Sequence, residues 1–141
     1  MKLKSLIPLM VLIFTSTTLF ADQVAITLTN NTKTYATAFI GKVGCTADYG
    51  DWGIIGPNGD SRTIPQFIVD RFCGNSCESA IYMTKNCSGP KIATARIEKK
   101  NGIVAITNHN VDGYVVSGGG KSAQVNGGPQ YRWFDYFETL N

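Results

Sequence analysis

The chain has 141 residues, with 13 Lys and Arg, 10 Asp and Glu, four cysteines and one histidine. Two of the basic residues, Lys2 and Lys4, lie in a segment that we expect to be cleaved, and the other 11 nearly balance the acidic residues. A nearly neutral chain does not favour a nucleic-acid partner, which requires a clustered basic face. The single histidine excludes a histidine-rich metal centre.

The N-terminal 21 residues have the pattern of a secretory signal peptide. Two lysines precede an apolar run from Leu6 to Phe14, and a small, polar segment then ends at Ala21. The apolar run is too short to span a bilayer well, so an uncleaved anchor is the less favoured alternative. We therefore expect residues 22–141 to form one monomeric domain without a membrane span, secreted or extracellular via the periplasm.

The expected mature chain begins with a period-two pattern that is typical of a half-buried strand. Apolar side chains at Val24, Ile26 and Leu28 alternate with small or polar ones. The sequence NNTKT then supplies turn residues, and YATAFI predicts the next strand.

Residues 45–53, CTADYGDWG, combine a cysteine with aromatic and acidic side chains on a glycine-punctuated segment. As a ligand-binding loop, this stretch would offer the rings of Tyr49 and Trp52 and the carboxylate of Asp51. Asp48 and Asp51 would also suit a weak Ca²⁺ site, although we otherwise expect no cofactor or metal. The alternative is a tryptophan packed over a disulfide at the start of the stretch. We favour this structural staple over the binding loop.

Further strands are predicted near TIPQFIV, SAIYMT, GYVVS and YRWFDYFETL. The segment QFIVDRF is also compatible with one or two helical turns. Short strands separated by Gly, Asn and Pro turns predict an all-β fold, either an antiparallel β-sandwich or a small barrel.

The segment ARIEKKNGIVAIT predicts a β-hairpin. Asn101-Gly102 is a favoured pair for a two-residue type I′ turn, because both central residues need positive φ. This turn predicts the cross-strand pairs Lys100–Ile103, Lys99–Val104 and Ile97–Ile106, with Ala95 on the same face as the last two pairs.

Four cysteines in an exported protein predict two disulfides, for which three pairings are possible. A strand over SAIYMT would separate Cys77 from Cys87 by about 20 Å, whereas a disulfide needs Cα atoms within about 7 Å. We therefore predict the pairs Cys73–Cys77 and Cys45–Cys87. A four-cysteine zinc site is the competing interpretation, but the paired C-x2-C spacing of such sites is missing.

The C-terminal segment holds a cluster of aromatic residues, Tyr131, Trp133, Phe134, Tyr136 and Phe137. In a strand, Trp133 and Phe137 point to one face, and Phe134 and Tyr136 point to the other. One set is then expected in the core and the other on the surface. We take Tyr131, Trp133 and Tyr136 as further candidates for ligand binding, together with the loop at residues 45–53.

Signatures of catalysis are weak in this sequence. The segment SGGGKS lacks the first glycine of a phosphate-binding loop, because position 115 is Val115. The sequence contains no G-x-S-x-G elbow, and an even cysteine count disfavours a Cys–His nucleophile. Asp48 and Asp51 would suit a glycosidase, but acids in a turn more often cap backbone N–H groups. We therefore expect no catalytic residues and no enzyme.

The signal-peptide pattern, the TLTNNTKT strand and turn and the two expected disulfides together resemble a known group of proteins. They look like the small β-rich proteins that Gram-negative bacteria export through the periplasm, such as type II secretion substrates. The resemblance implies a folded, oxidised protein that is delivered outside the cell.

From these features we predict an exported, non-enzymatic binding or virulence-type factor. Its expected partner is a host or bacterial protein or a glycan. The alternative is a periplasmic inhibitor or immunity protein that blocks a hydrolase, and a small hydrolase is a weaker third possibility.

Overall fold

The computed structural model describes residues 25–130, and its strands form two sheets. The strands of this part of the chain are β1 (Ile26–Asn30), β2 (Thr37–Ile40), β3 (Gly44–Cys45), β4 (Asp60–Ile64), β5 (Ser76–Tyr82), β6 (Lys91–Glu98), β7 (Gly102–Asn108), β8 (Val115–Gly119) and β9 (Ser122–Asn126). The helix α1 (Gln66–Cys73) and two short 3-10 turns, Thr46–Tyr49 and Asp51–Gly53, lie between strands.

Across residues 25–130, no helix is long and apolar enough to cross a membrane. The predicted signal peptide, residues 1–21, and the predicted C-terminal strand with Tyr131, Trp133 and Tyr136 lie outside the described residues.

The two sheets stack as a β-sandwich, which confirms the predicted fold class. Four strands form one sheet in the order β4-β1-β9-β8, and five form the other in the order β3-β2-β5-β6-β7. The larger sheet is antiparallel throughout. In the smaller sheet β1 pairs with β9 in parallel, so the predicted antiparallel arrangement is wrong for this one pair of described strands.

Backbone hydrogen bonds join the two sheets on both sides of the sandwich. Ala36, directly before β2, exchanges two N–H···O=C bonds of 2.9 Å with Ile55, which precedes β4. Ile103 of β7 makes the equivalent pair of bonds with Gly120, between β8 and β9, at 2.9 and 2.8 Å. These bridges hold the edges of the sheets together, while the sheets themselves stay separate.

Apolar side chains of both sheets fill the space between them, because successive strand residues point to opposite faces. The larger cluster contains Ile26, Ile64, Val69, Cys73, Ala95, Ile97, Ile103 and Ala123. The smaller cluster contains Ile92, Ala93, Tyr114, Val116 and Val125. An apolar cavity of about 50 Å³ lies between the sheets. Helix α1 contributes Val69 and Cys73 and so covers one end of the larger cluster.

The β6–β7 hairpin forms as predicted, but the predicted turn is wrong. Glu98 pairs with Gly102, so Lys99–Asn101 form a three-residue loop. Gly102 has φ of 72°, whereas Asn101 does not have positive φ. A type I′ turn would need positive φ at both residues, so the Asn-Gly pair here serves a longer loop.

The longer loop shifts the register and changes which side chains reach the core. Ile97 pairs with Ile103 rather than with Ile106, and a bulge then lets Ala95 pair with Ile106. Ile103 is buried and Val104 is exposed, which is the opposite of the predicted arrangement.

The segment TIPQFIV contains the end of one element and the start of another. Strand β4 ends at Ile64, Pro65 precedes the helix, and α1 begins at Gln66. Proline lacks a backbone N–H and is well tolerated where a helix starts, because the first helical N–H groups have no partner within the helix. Gly74, with φ of 63°, ends the helix. The predicted strand is therefore wrong for its second half, and the helical alternative for QFIVDRF is confirmed.

Both predicted disulfides are present in the structure. Cys45 and Cys87 join the start of the 3-10 turns to the loop after β5, with Cα atoms 5.9 Å apart. Cys73 and Cys77 close the short CGNSC segment between α1 and β5, with Cα atoms 4.8 Å apart. Strand β5 begins at Ser76 and continues past Cys77 to Tyr82, so extended chain leads away from Cys77 towards Cys87, as the predicted pairing required. Because all four thiols are in disulfides, the zinc alternative is wrong.

Strand β1 ends in an asparagine, Asn30, whose side chain is fully buried. Its Nδ2 donates to the carbonyl oxygens of Thr34, Ile55 and Gly56 at 2.7, 3.3 and 3.0 Å. Its Oδ1 accepts from the backbone N–H and the hydroxyl of Thr32 at 3.1 and 2.7 Å. Asn30 thereby fastens the turn after β1 to the segment before β4, a role that the sequence pattern did not predict.

Candidate functional site

The stretch at residues 45–53 is a closed loop that is fixed to the sheet at both ends. Its first residue, Cys45, is tied by its disulfide to the loop beyond β5. The hydroxyl of Thr46 donates to the carbonyl of Gly53 at 2.6 Å and accepts from the N–H of Ala38 in β2 at 3.1 Å. The disulfide staple of the favoured interpretation is therefore present, while the packing of the tryptophan over that disulfide stays a prediction.

The same loop exposes two aromatic side chains. The indole N–H of Trp52 donates to the Tyr49 carbonyl at 2.9 Å. The Tyr49 ring packs against Phe72 of α1, with centroids 5.0 Å apart and the planes tilted by 55°. Trp52 is nevertheless 37% exposed and Tyr49 is 44% exposed. Each ring is thus held by the protein on one side and open to solvent on the other.

These rings belong to an apolar surface that we name the Tyr49 patch. Its members line one crevice and are Val43, Tyr49, Trp52, Ile68 and Phe72. Phe67, which directly precedes Ile68 on α1, is 67% exposed and is the most exposed large apolar side chain of the described residues. Contiguous exposed apolar surface is uncommon on soluble domains and often marks an interaction site.

A groove of about 490 Å³ borders the Tyr49 patch and shares Val43 and Phe72 with it. The lining of the groove includes the Cys73–Cys77 disulfide and two charged residues, Lys42 and Glu78. An apolar centre with a polar rim is the usual composition of a protein interface.

The predicted acidic residues of the loop, Asp48 and Asp51, are both exposed. Within residues 25–130, no three His, Cys, Asp or Glu side chains come together as they would in a metal site. The weak Ca²⁺ site near Asp48 and Asp51 therefore stays a prediction. Residues 25–130 supply no third acidic ligand to it. Asp51 lies next to Trp52 at the border of the Tyr49 patch.

Sequence reasoning missed the contribution of α1 to this surface. Ile68 and Phe72 are four residues apart, so a helix places them on one face, next to the loop. The helical alternative for QFIVDRF contained this signal, but the strand interpretation hid it. The candidates Tyr131, Trp133 and Tyr136 lie beyond residue 130, so the structure does not place them relative to the patch.

Gly53 lets the two ends of the loop approach each other, which leads to a stability prediction. A Cβ atom at this position would overlap the backbone of Thr46. We expect Gly53→Ala to lower the free energy of unfolding by about 2 kcal/mol, because overpacking forces the backbone to shift. Gly119→Ala is the matched control, since a Cβ there meets Ile103 at an ordinary 3.7 Å. Urea unfolding of both variants checks this, and equal losses would contradict it.

Comparison with known proteins shows similarity at the level of the fold. No protein-family model and no curated protein matches this chain. Its fold is similar to the crystal structure of the Legionella pneumophila type II secretion system substrate NttC, with a TM-score of 0.56 and 17% sequence identity. The match covers 74% of this chain and 97% of that chain. The predicted resemblance in layout to such exported β-rich proteins is therefore confirmed for the fold.

Proposed function

We propose that this protein is exported through the periplasm and acts as a binding factor for a protein partner, without catalysing a reaction. The observation that carries this proposal is the Tyr49 patch, where large rings are exposed on a covalently stapled loop. Tyrosine and tryptophan are enriched among the residues that contribute most to protein–protein affinity. A rigid loop also loses little conformational entropy when it binds.

A protein partner suits the patch better than a glycan does. The indole N–H of Trp52 is already bonded within the loop, and Val43 and Phe72 offer apolar area only. Sugar hydroxyls above Val43 and Phe72 would lose their hydrogen bonds to water, and only the carboxylates of Asp48 and Asp51 at the border could replace them. Burial of an apolar side chain of a protein partner against the patch would instead be favourable. Asp48 and Asp51 could then pair with basic residues of the partner beside it.

Export is supported by the pattern of residues 1–21, by the two disulfides and by the fold shared with a type II secretion substrate. The test is fractionation of a Gram-negative host that has a working type II secretion system. The protein should accumulate in the culture supernatant and should be held back when that system is inactivated. Retention in the periplasm of the intact host would instead favour the inhibitor or immunity alternative, and retention in the cytoplasm would contradict export.

Photo-crosslinking tests the binding surface directly. We expect a benzoyl-phenylalanine at position 49, a member of the Tyr49 patch that is 44% exposed, to form a discrete adduct with one protein when the purified chain is incubated with host or bacterial extract. The same group at Val115, on β8 and 49% exposed, is the matched control and should form none. Adducts of equal yield at both positions, or none at position 49, would contradict a role of this patch.

Once that partner is identified, substitution of Trp52 distinguishes a role in binding from a role in packing. Trp52→Ala should weaken the complex by roughly 2 kcal/mol or more, because truncation of a central aromatic side chain has effects of this size. The ring is partly covered, so unfolding should become easier by about 1–2 kcal/mol, less than for a fully buried ring. Val115→Ala should change neither quantity. Titration calorimetry and urea unfolding measure the two effects, and unchanged affinity would eliminate Trp52 as a binding residue.

A further inference from the structure

A second exposed surface, of different chemistry, lies on the outer face of the five-stranded sheet. Ala38 and Ile40 of β2 point into the core, so Thr37 and Phe39 point to the other face, where Phe39 is exposed and Thr37 is buried under the loop of Thr84 and Cys87. Tyr82 of β5 is the cross-strand partner of Thr37 and therefore lies on the same face. Phe39 is the diagonal neighbour of Tyr82, a distance that aromatic side chains can span.

Two lysines accompany these rings. Lys91 is the cross-strand partner of Tyr82 on β6 and is exposed. The Nζ atom of Lys85 lies 4.3 Å from the centre of the Tyr35 ring. Tyr35 lies two residues before the start of β2. We name this surface the aromatic–lysine face and define it by Tyr35, Phe39, Tyr82, Lys85 and Lys91.

The loop that carries Lys85 is held in place from several sides. The Thr37 hydroxyl donates to the Thr84 carbonyl at 2.9 Å and accepts from the Cys87 N–H at 3.0 Å. The Thr84 hydroxyl donates to the Ser88 carbonyl at 2.9 Å, and the disulfide of Cys87 fixes the loop to β3. A surface that is organised before binding loses less entropy when a ligand arrives.

The outer face of the four-stranded sheet differs in composition from the aromatic–lysine face. There the side chains are uncharged and pair with one another, as in Thr27–Thr63 at 3.0 Å and Thr29–Ser61 at 2.7 Å. On the aromatic–lysine face, neither lysine has a carboxylate within 4.0 Å among residues 25–130, where the ion pairs are Arg62–Asp60 and Lys99–Asp70.

Acidic side chains on this sheet are distant from the aromatic–lysine face. Glu78 lies on the same side of β5 as Tyr82 and precedes it by four residues, or roughly 13 Å along an extended strand. The surface therefore combines aromatic area with two positive charges that have no local compensation from the described carboxylates.

We propose that the aromatic–lysine face binds an acidic polysaccharide, a chain of sugar rings that carries carboxylate or sulfate groups. Aromatic rings supply apolar area for the C–H faces of sugars, and the lysines attract the anionic groups. The exposed hydroxyl of Thr107 on β7 lies on the same face and can bond to sugar hydroxyls, whereas the hydroxyl of its cross-strand partner Thr94 is already bonded to His109 Nε2 at 3.0 Å. A single-stranded nucleic acid fits less well, because each nucleotide adds a phosphate and the face has only two lysines. This site shares no residue with the Tyr49 patch.

The test compares defined polymers on the purified mature chain. We expect binding to heparin or polygalacturonate, measured by calorimetry at low salt, and no binding to neutral dextran. Lys85→Gln/Lys91→Gln should weaken this binding roughly tenfold or more, which corresponds to about 1.4 kcal/mol. Phe39→Ala should weaken it by a similar factor without any change in charge. The melting temperature of each variant should stay within a few degrees of the parent, which shows that the fold is intact.

A charge-matched control separates a specific site from general attraction. Lys100→Gln/Lys121→Gln removes two exposed positive charges at the β6–β7 and β8–β9 turns and should change the affinity less than twofold. Three results would overturn the proposal. These are an equal loss in the control pair, no binding to either acidic polysaccharide, or tighter binding of oligo-dT or of phosphatidylglycerol vesicles through the same lysines.

Discussion

Removal of the Cys45–Cys87 disulfide by alanine substitution of both cysteines is expected to lower the free energy of unfolding by about 4 kcal/mol. The two residues are 42 positions apart, so the bond restricts a long loop of the unfolded chain. The Cys73–Cys77 bond spans four positions and should contribute about 2 kcal/mol by the same relation. The longer bond also anchors the loop at Cys45, so its loss removes a constraint on the Tyr49 patch as well.

The two double variants serve as controls for each other, because both remove one buried and one partly buried sulfur atom. Thermal and urea unfolding without reductant give the order of stability. A C73A/C77A variant that melts below C45A/C87A would contradict the loop-length explanation. In that case local packing of Cys73 in the core would have to contribute more than the constraint on the unfolded chain.

Replacement of Asn30 by alanine should lower the free energy of unfolding by about 3 kcal/mol. The amide makes five hydrogen bonds in a fully buried position, and its removal leaves backbone groups of Thr32, Thr34 and Gly56 without these partners. A buried polar group that loses its partner costs about 1–3 kcal/mol. Asn30→Asp should not restore stability, since a carboxylate cannot donate to the three carbonyl oxygens.

The next residue provides the control for this prediction. Asn31 is exposed, and its side chain bonds to Gln124 and Asn126 at 3.4 and 3.1 Å on the surface. Asn31→Ala should therefore cost less than about 1 kcal/mol. Urea unfolding measures both variants, with the slope of the free energy of unfolding against urea concentration held equal to that of the parent. If Asn30→Ala were no worse than Asn31→Ala, the buried network would not stabilise the fold as described.

The elements that the sequence predicted correctly are those with strong local signals. The alternation at Ile26 and Leu28 predicted β1, and the strand over SAIYMT made the disulfide pairing deducible from distance alone. The hairpin register failed because Asn101-Gly102 fits more than one turn, and a three-residue loop moves Ile103 into the core. No local pattern indicates that β1 pairs in parallel with β9, because that pairing depends on how the whole chain folds back.

The candidate site was predicted in part for similar reasons. Tyr49 and Trp52 stood out by composition, and the structure exposes both. Their neighbours Ile68 and Phe72 come from a helix about 20 residues later in the chain, and proximity of this kind is invisible to a local pattern. The aromatic–lysine face was missed because its members come from three strands and a loop, and their register decides that they are neighbours.

The parallel pairing of β1 with β9 also affects the order in which the chain can fold. Thr27 pairs with Ser122 and Asn30 with Val125, so the first described strand needs a partner about 95 residues later. Closure of such a long loop is entropically unfavourable and slows folding. The chain emerges from a ribosome or a translocation pore with β1 first. The edge of β1 that pairs with β9 therefore stays unpaired until residue 126 has also emerged. We therefore expect a partly emerged chain to be cleaved readily by proteases and to be bound by chaperones, and resistance should arise only when its last strands are free.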